Sequence, residues 1–170
     1  MCEYASGFAM DDDGYMINTK KKIIEKLKLE RDMSLSKFAD KSVKEIECSG
    51  VFEYIPGRDR GKFMDEVYRV LAPEGKATFT IPHWQSAHAF QDYRYEWPPL
   101  CEQSFLYFCK AWRDANKLDL GLKCNFDFTY GYAWEPATAA RSDEARAFNT
   151  KHYVNCIDAL QLVLTKAKPN

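Results

Sequence analysis

The sequence predicts an α/β domain built around a parallel sheet, and three stretches carry that prediction. From Ser42 to Pro82 the chain reads strand, loop, helix, turn, strand. That order makes a βαβ unit, and such units build parallel sheets because the crossover returns the second strand in the direction of the first. From Cys124 to Trp134 the apolar positions alternate, at Cys124, Phe126, Phe128, Tyr130, Tyr132 and Trp134, and a period of two marks a strand. His152 to Lys166 then ends the chain as a second long strand, with Val154, Cys156, Leu160, Leu162 and Leu164.

Within the first stretch, Val43 to Cys48 is a short strand with Lys44, Glu45 and Glu47 set among its apolar residues. Lys62 to Leu71 is a helix, because Phe63, Met64, Val67, Val70 and Leu71 share one face. Pro73 and Gly75 stop it, and Lys76 to Pro82 alternates as a strand with Ala77, Phe79 and Ile81 on one side. Upstream, Asp11 to Gly14 make a turn. Lys20 to Leu29 has the pattern of a short amphipathic helix, with Ile23, Ile24 and Leu27 inward and Lys20 to Lys22 on the solvated face. Downstream, Glu102 to Lys117 is a helix capped at or near Ser104, and Phe105, Phe108, Cys109 and Trp112 form its core stripe. Glu135 to Phe148 is a polar connection with room for a helical turn. The core should gather Val67, Leu71, Phe79, Ile81, Phe126, Phe128, Leu162 and Leu164 around one sheet.

Composition excludes several classes. A chain of 170 residues fits a single domain, 1–170, with enough material for a core. Hydrophobic content of 46% and charged content of 29% are ordinary for a soluble globular protein. A net charge of −1 argues against a nucleic-acid footprint. There is no apolar run of the roughly 18–20 residues a membrane span needs, and no basic-then-apolar leader pattern. The 6 cysteines include no CxxC pair, so zinc spacing is absent and buried free thiols in a reducing cytoplasm are expected.

Two segments carry a family resemblance. EVYRVLAPEGKATFTIP is similar to the E-x-x-R-V-L-x-P-G-G segment before the fifth strand of class I S-adenosylmethionine-dependent methyltransferases. Gly75 takes the place of the second glycine and Glu74 that of the first. ADKSVKEIECSGVFEYIP is similar to their F-x-D-x-S-x-D-x-I-x-x-S-x-V-L-E-H-I segment, the fourth strand and the loop after it, with Gly50 and Tyr54 where histidines are usual. The resemblance implies a Rossmann-like, mostly parallel sheet with helices on both faces and an antiparallel last strand. It also implies S-adenosylmethionine as cofactor and an unidentified methyl acceptor.

Carried over residue by residue, the resemblance puts Glu3 at the leading acid of the cofactor loop. Gly7 falls at its middle glycine, and Ala5 and Ala9 at the outer two, where bare backbone normally lets the cofactor approach. Tyr15 to Asn18 resembles the second strand, and Thr19 then stands where an acid usually grips the ribose. Asp32 would accept a hydrogen bond from the adenine amino group with Met33 against the ring, and the Cys48, Ser49, Gly50 turn completes the cofactor set. Asp32 also has a plain reading as a turn residue.

Beyond the fifth strand, HWQSAHAFQDYRYEWPPLCEQSF concentrates aromatic and ionisable side chains in a loop marked by Pro98 and Pro99. Open α/β sheets bind ligands at this edge, so residues 83–101 read as a substrate-side lid. The loop is similar to the P-H-x-x-S-x-x-A-x-x-D-P-x-H segment of one methyltransferase subgroup through His83, Ser86, Ala89 and Asp92. His88 and Asp92 are the candidate general bases, and His83, Trp84 and Tyr95 the candidate acceptor contacts. The alternative for the lid is a set of aromatics packed on the core.

Two functions follow. One is methyl transfer from a sulfonium to a nucleophile, in which the protein supplies orientation and excludes water. The other is a catalytically inactive binding or regulatory protein that keeps the fold, favoured by Ala5, Ala9, Thr19 and the missing histidines.

Overall fold

The structure, a computed structural model, describes residues 8–10, 16–18, 23–31 and 33–167. Seven strands form one sheet: β1 (Phe8–Met10), β2 (Met16–Asn18), β3 (Ile23–Lys28), β4 (Val43–Ser49), β5 (Leu71–Pro82), β6 (Phe126–Trp134) and β7 (Ile157–Lys166), in the order β1-β2-β3-β4-β5-β7-β6. β3, β4 and β5 are parallel neighbours. β7 runs antiparallel between β5 and β6, the reversed last strand that the resemblance implied. β2 is also reversed, antiparallel to both β1 and β3, so β1, β3, β4, β5 and β6 share one direction.

The βαβ unit is present, with the crossover helix α1 (Gly57–Val70) beginning five residues before the expected start at Lys62. Leu71 already opens β5, so Pro73 and Gly75 lie inside the strand rather than ahead of it. Glu74 sits at φ 61, and a register shift in the β4–β5 pairing absorbs the irregularity. Gly75 is required there: a Cβ would lie 2.8 Å from the Ala72 carbonyl and 2.9 Å from the Lys44 carbonyl.

One face of the sheet is the core. Ile46, Cys48, Ala77, Phe79, Ile81, Leu160, Leu162 and Leu164 are buried on it, against Met64 and Val67 of α1. Phe52 is the hub. Its ring lies 5.4 Å from Phe79, 5.4 Å from Phe105, 5.8 Å from Phe63 and 6.3 Å from Phe108. Of the expected core residues, Phe128 is only half-buried because β6 is an edge strand. On the opposite face Lys26, Lys76, Thr78 and Gln161 stand in solvent, and among the described residues no helix covers them. The lysine and glutamate interruptions of the strands are this face.

Several local expectations are corrected. Ile23–Lys28 is a strand, not the inner part of a helix. Leu27 opposes Ile46, and ion pairs join Lys26 to Glu47 at 2.7 Å and Lys44 to Glu25 at 3.1 Å. An isolated ten-residue helix is marginal, and pairing with β4 prevails. The Glu102–Lys117 helix is broken into a 3-10 segment, Glu102–Phe108, and α2 (Lys110–Ala115). At three residues per turn Phe105 and Phe108 fall on the same side, which brings both beneath Phe52. The polar connection after β6 holds two helices, α3 (Pro136–Ala139) and α4 (Asp143–His152). Ser142 caps α4, and acids in its first turn and bases in its last suit the helix dipole. His152 therefore ends a helix, and the last strand starts at Ile157.

Candidate functional site

The carboxyl ends of β3, β4 and β5 carry three loops: residues 29–38, the turn from Ser49 to Pro56, and the lid from His83 to Cys101. Gly50 turns the chain out of β4 at φ 68, a conformation glycine adopts without strain. Between the 29–36 loop and the first turns of α1 lies an open cavity of about 440 Å³. Its floor is apolar, with Leu29, Met33, Val51, Ile55 and Phe63, and Arg31, Asp59 and Lys62 stand at its rim. Pockets of this size and lining hold small ligands.

The cofactor residues inferred from resemblance divide. Glu3, Ala5, Gly7, Thr19 and Asp32 lie outside the described residues, whereas Ala9 falls within β1, paired with Ile17, rather than in a loop. Met33 lines the cavity. Cys48 is fully buried, its thiol pushed up by burial and by the neighbouring Glu53 carboxylate, so its side chain belongs to the core. Ser49 and Gly50 are exposed in the turn.

The lid is pinned at its base, where His83 and Leu100 bridge and the Trp84 amide donates to the Leu100 carbonyl at 2.9 Å. His83 is 3% exposed. Its Nδ1 accepts from the Gln85 amide at 3.4 Å, which assigns the ring proton to Nε2, facing Glu102 at 3.4 Å. Burial lowers its pKa, opposed by Glu102. His83 thus joins the end of β5 to the Glu102–Phe108 turn instead of meeting an acceptor. Trp84 is half exposed, and Tyr95 stacks edge-on against Tyr54 at 4.9 Å.

The two candidate bases are not brought together. His88 is exposed, with Nδ1 2.8 Å from Gln91 Oε1 and Nε2 4.0 Å from Asp158. Asp92 accepts from Arg94 Nε at 2.9 Å, from Arg94 Nη2 at 2.5 Å and from the Tyr54 hydroxyl at 2.9 Å. The Arg94 guanidinium holds this carboxyl far below the usual range. A carboxylate so stabilised is a weak base, and its role here is to hold the lid to Tyr54. Arg31 and Arg94 both lie over the Tyr54 ring, at 4.5 and 5.6 Å.

Two residues escaped the sequence reading. Arg60 is buried and donates to the carbonyls of Ile55 at 3.0 Å, Pro98 at 3.1 Å and Glu96 at 3.0 Å. Glu53 is 8% exposed, and its Oε2 has no hydrogen-bond partner among the described residues. Burial raises its pKa. The signal for Arg60 was its phase: it falls one turn before Met64 and two before Val67, on the buried face.

This sheet, with its cavity beyond the strand ends, defines an α/β domain of the Rossmann-like class. Residues 2–79 match the family profile described as a methyltransferase domain. Over this N-terminal part the chain is similar to methyltransferase domains. A solved S-adenosylmethionine-dependent methyltransferase from Archaeoglobus fulgidus shares the fold with a TM-score of 0.53 and 12% identity, over 78% of this chain and 63% of that one. The present chain therefore spans less than two thirds of that relative. A complex of the Haloferax volcanii Trm112 methyltransferase activator with a methyltransferase gives 0.49 and 17%, over 82% and 59%. The YcgJ protein from Bacillus subtilis gives 0.43 and 15%, over 78% and 68%. No curated protein sequence matches the chain. No described helix is long and apolar enough to cross a membrane, and no metal-ligating cluster occurs among the described residues.

Proposed function

We propose that this chain binds S-adenosylmethionine beyond the carboxyl ends of β3 and β4 and transfers its methyl group to an acceptor held beneath the lid. The observation that carries this reading is the methyltransferase-domain match over residues 2–79, a span that includes both the Met33 loop and the Ser49–Val51 turn beside the cavity. When bound, the cofactor supplies an electrophilic methyl on sulfur, and its transfer leaves S-adenosylhomocysteine. The residues of this chain bind and orient. The floor of Leu29, Val51 and Ile55 suits an apolar ring face, Asp32 accepts from the adenine amino group, and Met33 packs beside it. His83, pinned to Glu102, fixes the base of the lid, and Trp84 and Tyr95 border the acceptor side. Positioning and exclusion of water are the contributions methyl transfer asks of a protein.

A second reading is a non-catalytic module that keeps the cofactor fold. The ion-paired state of Asp92 and the exposure of His88 favour it, since neither is poised as a base. Calorimetric titration with S-adenosylmethionine and S-adenosylhomocysteine separates the two. The first reading expects weak binding, with a dissociation constant of about 100 μM, because Thr19 lacks the acid that strengthens a ribose contact. Asp32→Ala should weaken it by about 1–3 kcal/mol, and Thr19→Asp should tighten it roughly tenfold. No heat at millimolar cofactor, in wild type and in Thr19→Asp alike, gives the answer to the second reading.

A further inference from the structure

We propose that β6 is a pairing edge and that its partner is the same strand of a second copy of this chain. β6 closes one side of the sheet. One of its flanks pairs with β7 from Phe126↔Lys166 to Trp134↔Ile157. Among the described residues nothing outside β7 hydrogen-bonds to the main chain of Phe126–Trp134. An open edge of 9 residues is a template for another strand, and edges that stay single are short or carry lysine, proline or inward charge. Phe126–Trp134 has none of these devices. Its one charged side chain is Asp127, and its one irregularity lies at the end, between Ala133 and Trp134. What it exposes is aromatic. Tyr130 is 51% exposed, and Tyr130, Tyr132 and Trp134 form a ladder of ring contacts at 5.7 and 5.4 Å.

The strand complements itself. Opposed residues of an antiparallel pair share a face. Run against itself about Tyr130, the strand sets Tyr130 against its own copy, Phe128 against Tyr132 and Phe126 against Trp134. Aromatic cross-strand pairs stabilise sheets. On the other face Asp127 meets Ala133 and Thr129 meets Gly131, so no like charges oppose. The contact is isologous and closed: each copy uses its β6 edge once, and the two sheets join into one.

Analytical ultracentrifugation of the whole chain across the micromolar range tests this. The wild type should sediment as two chains. Tyr130→Lys sets like charges directly opposite at a half-exposed position and should associate at least about tenfold more weakly, with an unchanged circular dichroism spectrum. Tyr130→Cys places a thiol against its own copy and should form an interchain disulfide on oxidation, whereas Asp127→Cys should not, with the wild type as control for the native cysteines. A wild type that stays a single chain at every concentration, together with no Tyr130→Cys cross-link, overturns the proposal. So does a dimer that Tyr130→Lys leaves intact and that Asp127→Cys cross-links as readily as Tyr130→Cys.

Discussion

Arg60 donates from Nη2 to the carbonyl of Glu96 at 3.0 Å, and through that bond the lid is fastened to the first turns of α1. The same guanidinium holds the carbonyls of Ile55 and Pro98, and the Glu96 amide donates back to the Glu53 carbonyl at 2.9 Å. The lid is therefore held from both ends and the middle: by His83 and Leu100 at its base, and by Arg60 and Tyr54 within it.

Removing this clamp should loosen the lid before it loosens the sheet. Arg60→Met keeps the aliphatic packing and leaves three carbonyls without their donor. A stability loss of about 2–3 kcal/mol is expected from the unpaired groups, with new protease cleavage between Tyr93 and Trp97. Urea unfolding and limited proteolysis together read both effects; a loss of stability with the lid still resistant would assign Arg60 to the core alone.

Glu53 gives a pH dependence. Burial raises its carboxyl above the ordinary value, which in an unfolded chain is about 4.3. A group whose folded pKa is raised favours the folded state most where it is protonated. That contribution is lost as pH rises through the folded value, because the folded protein must then hold an ionised carboxylate away from water. Glu53→Gln removes the titration, so its urea midpoint should gain on the wild type as pH rises from about 4 to 7. A difference that does not change with pH would mean that the carboxyl keeps its charge throughout.

The irregular start of β5 separates two backbone effects. Gly75→Ala drives a methyl group against two carbonyl oxygens within 2.9 Å and should cost about 1–3 kcal/mol. Glu74→Gly, at φ 61, relieves a left-handed residue at the expense of unfolded-chain entropy, for a net gain of about 0.5 kcal/mol. Thermal melts of the two variants should move in opposite directions.

Phe52 joins the sheet to both helical segments above it, through Phe79, Phe63 and Phe105. Phe52→Ala should cost about 3–5 kcal/mol, among the largest effects of any single truncation in this chain. Chemical denaturation checks it, and a loss below 1 kcal/mol would mean that the neighbouring rings collapse into the space.

The sequence by itself determined the elements whose residues face one way along a single segment. The alternation of β5 and β6, the leucines of β7 and the apolar stripe of α1 record burial of one face, and a local period is legible without knowing what covers it. The family motifs likewise indicated the turn after β4 and the lid. The tertiary structure decided what depends on partners distant in sequence. Ile23–Lys28 has too few residues to declare a period, and pairing with β4 makes it a strand. β2 runs against its neighbours because sheet direction is a property of a pair, not of a segment. Asp92 reads as a base in the sequence and is an ion pair in the fold, because Arg94, two residues on, pairs with it and the Tyr54 hydroxyl, brought from the Ser49–Pro56 turn, donates to it as well. Arg60 and Glu53 look like surface charges until α1 docks and takes them out of water, and desolvation, which no local pattern encodes, is what gives both their roles.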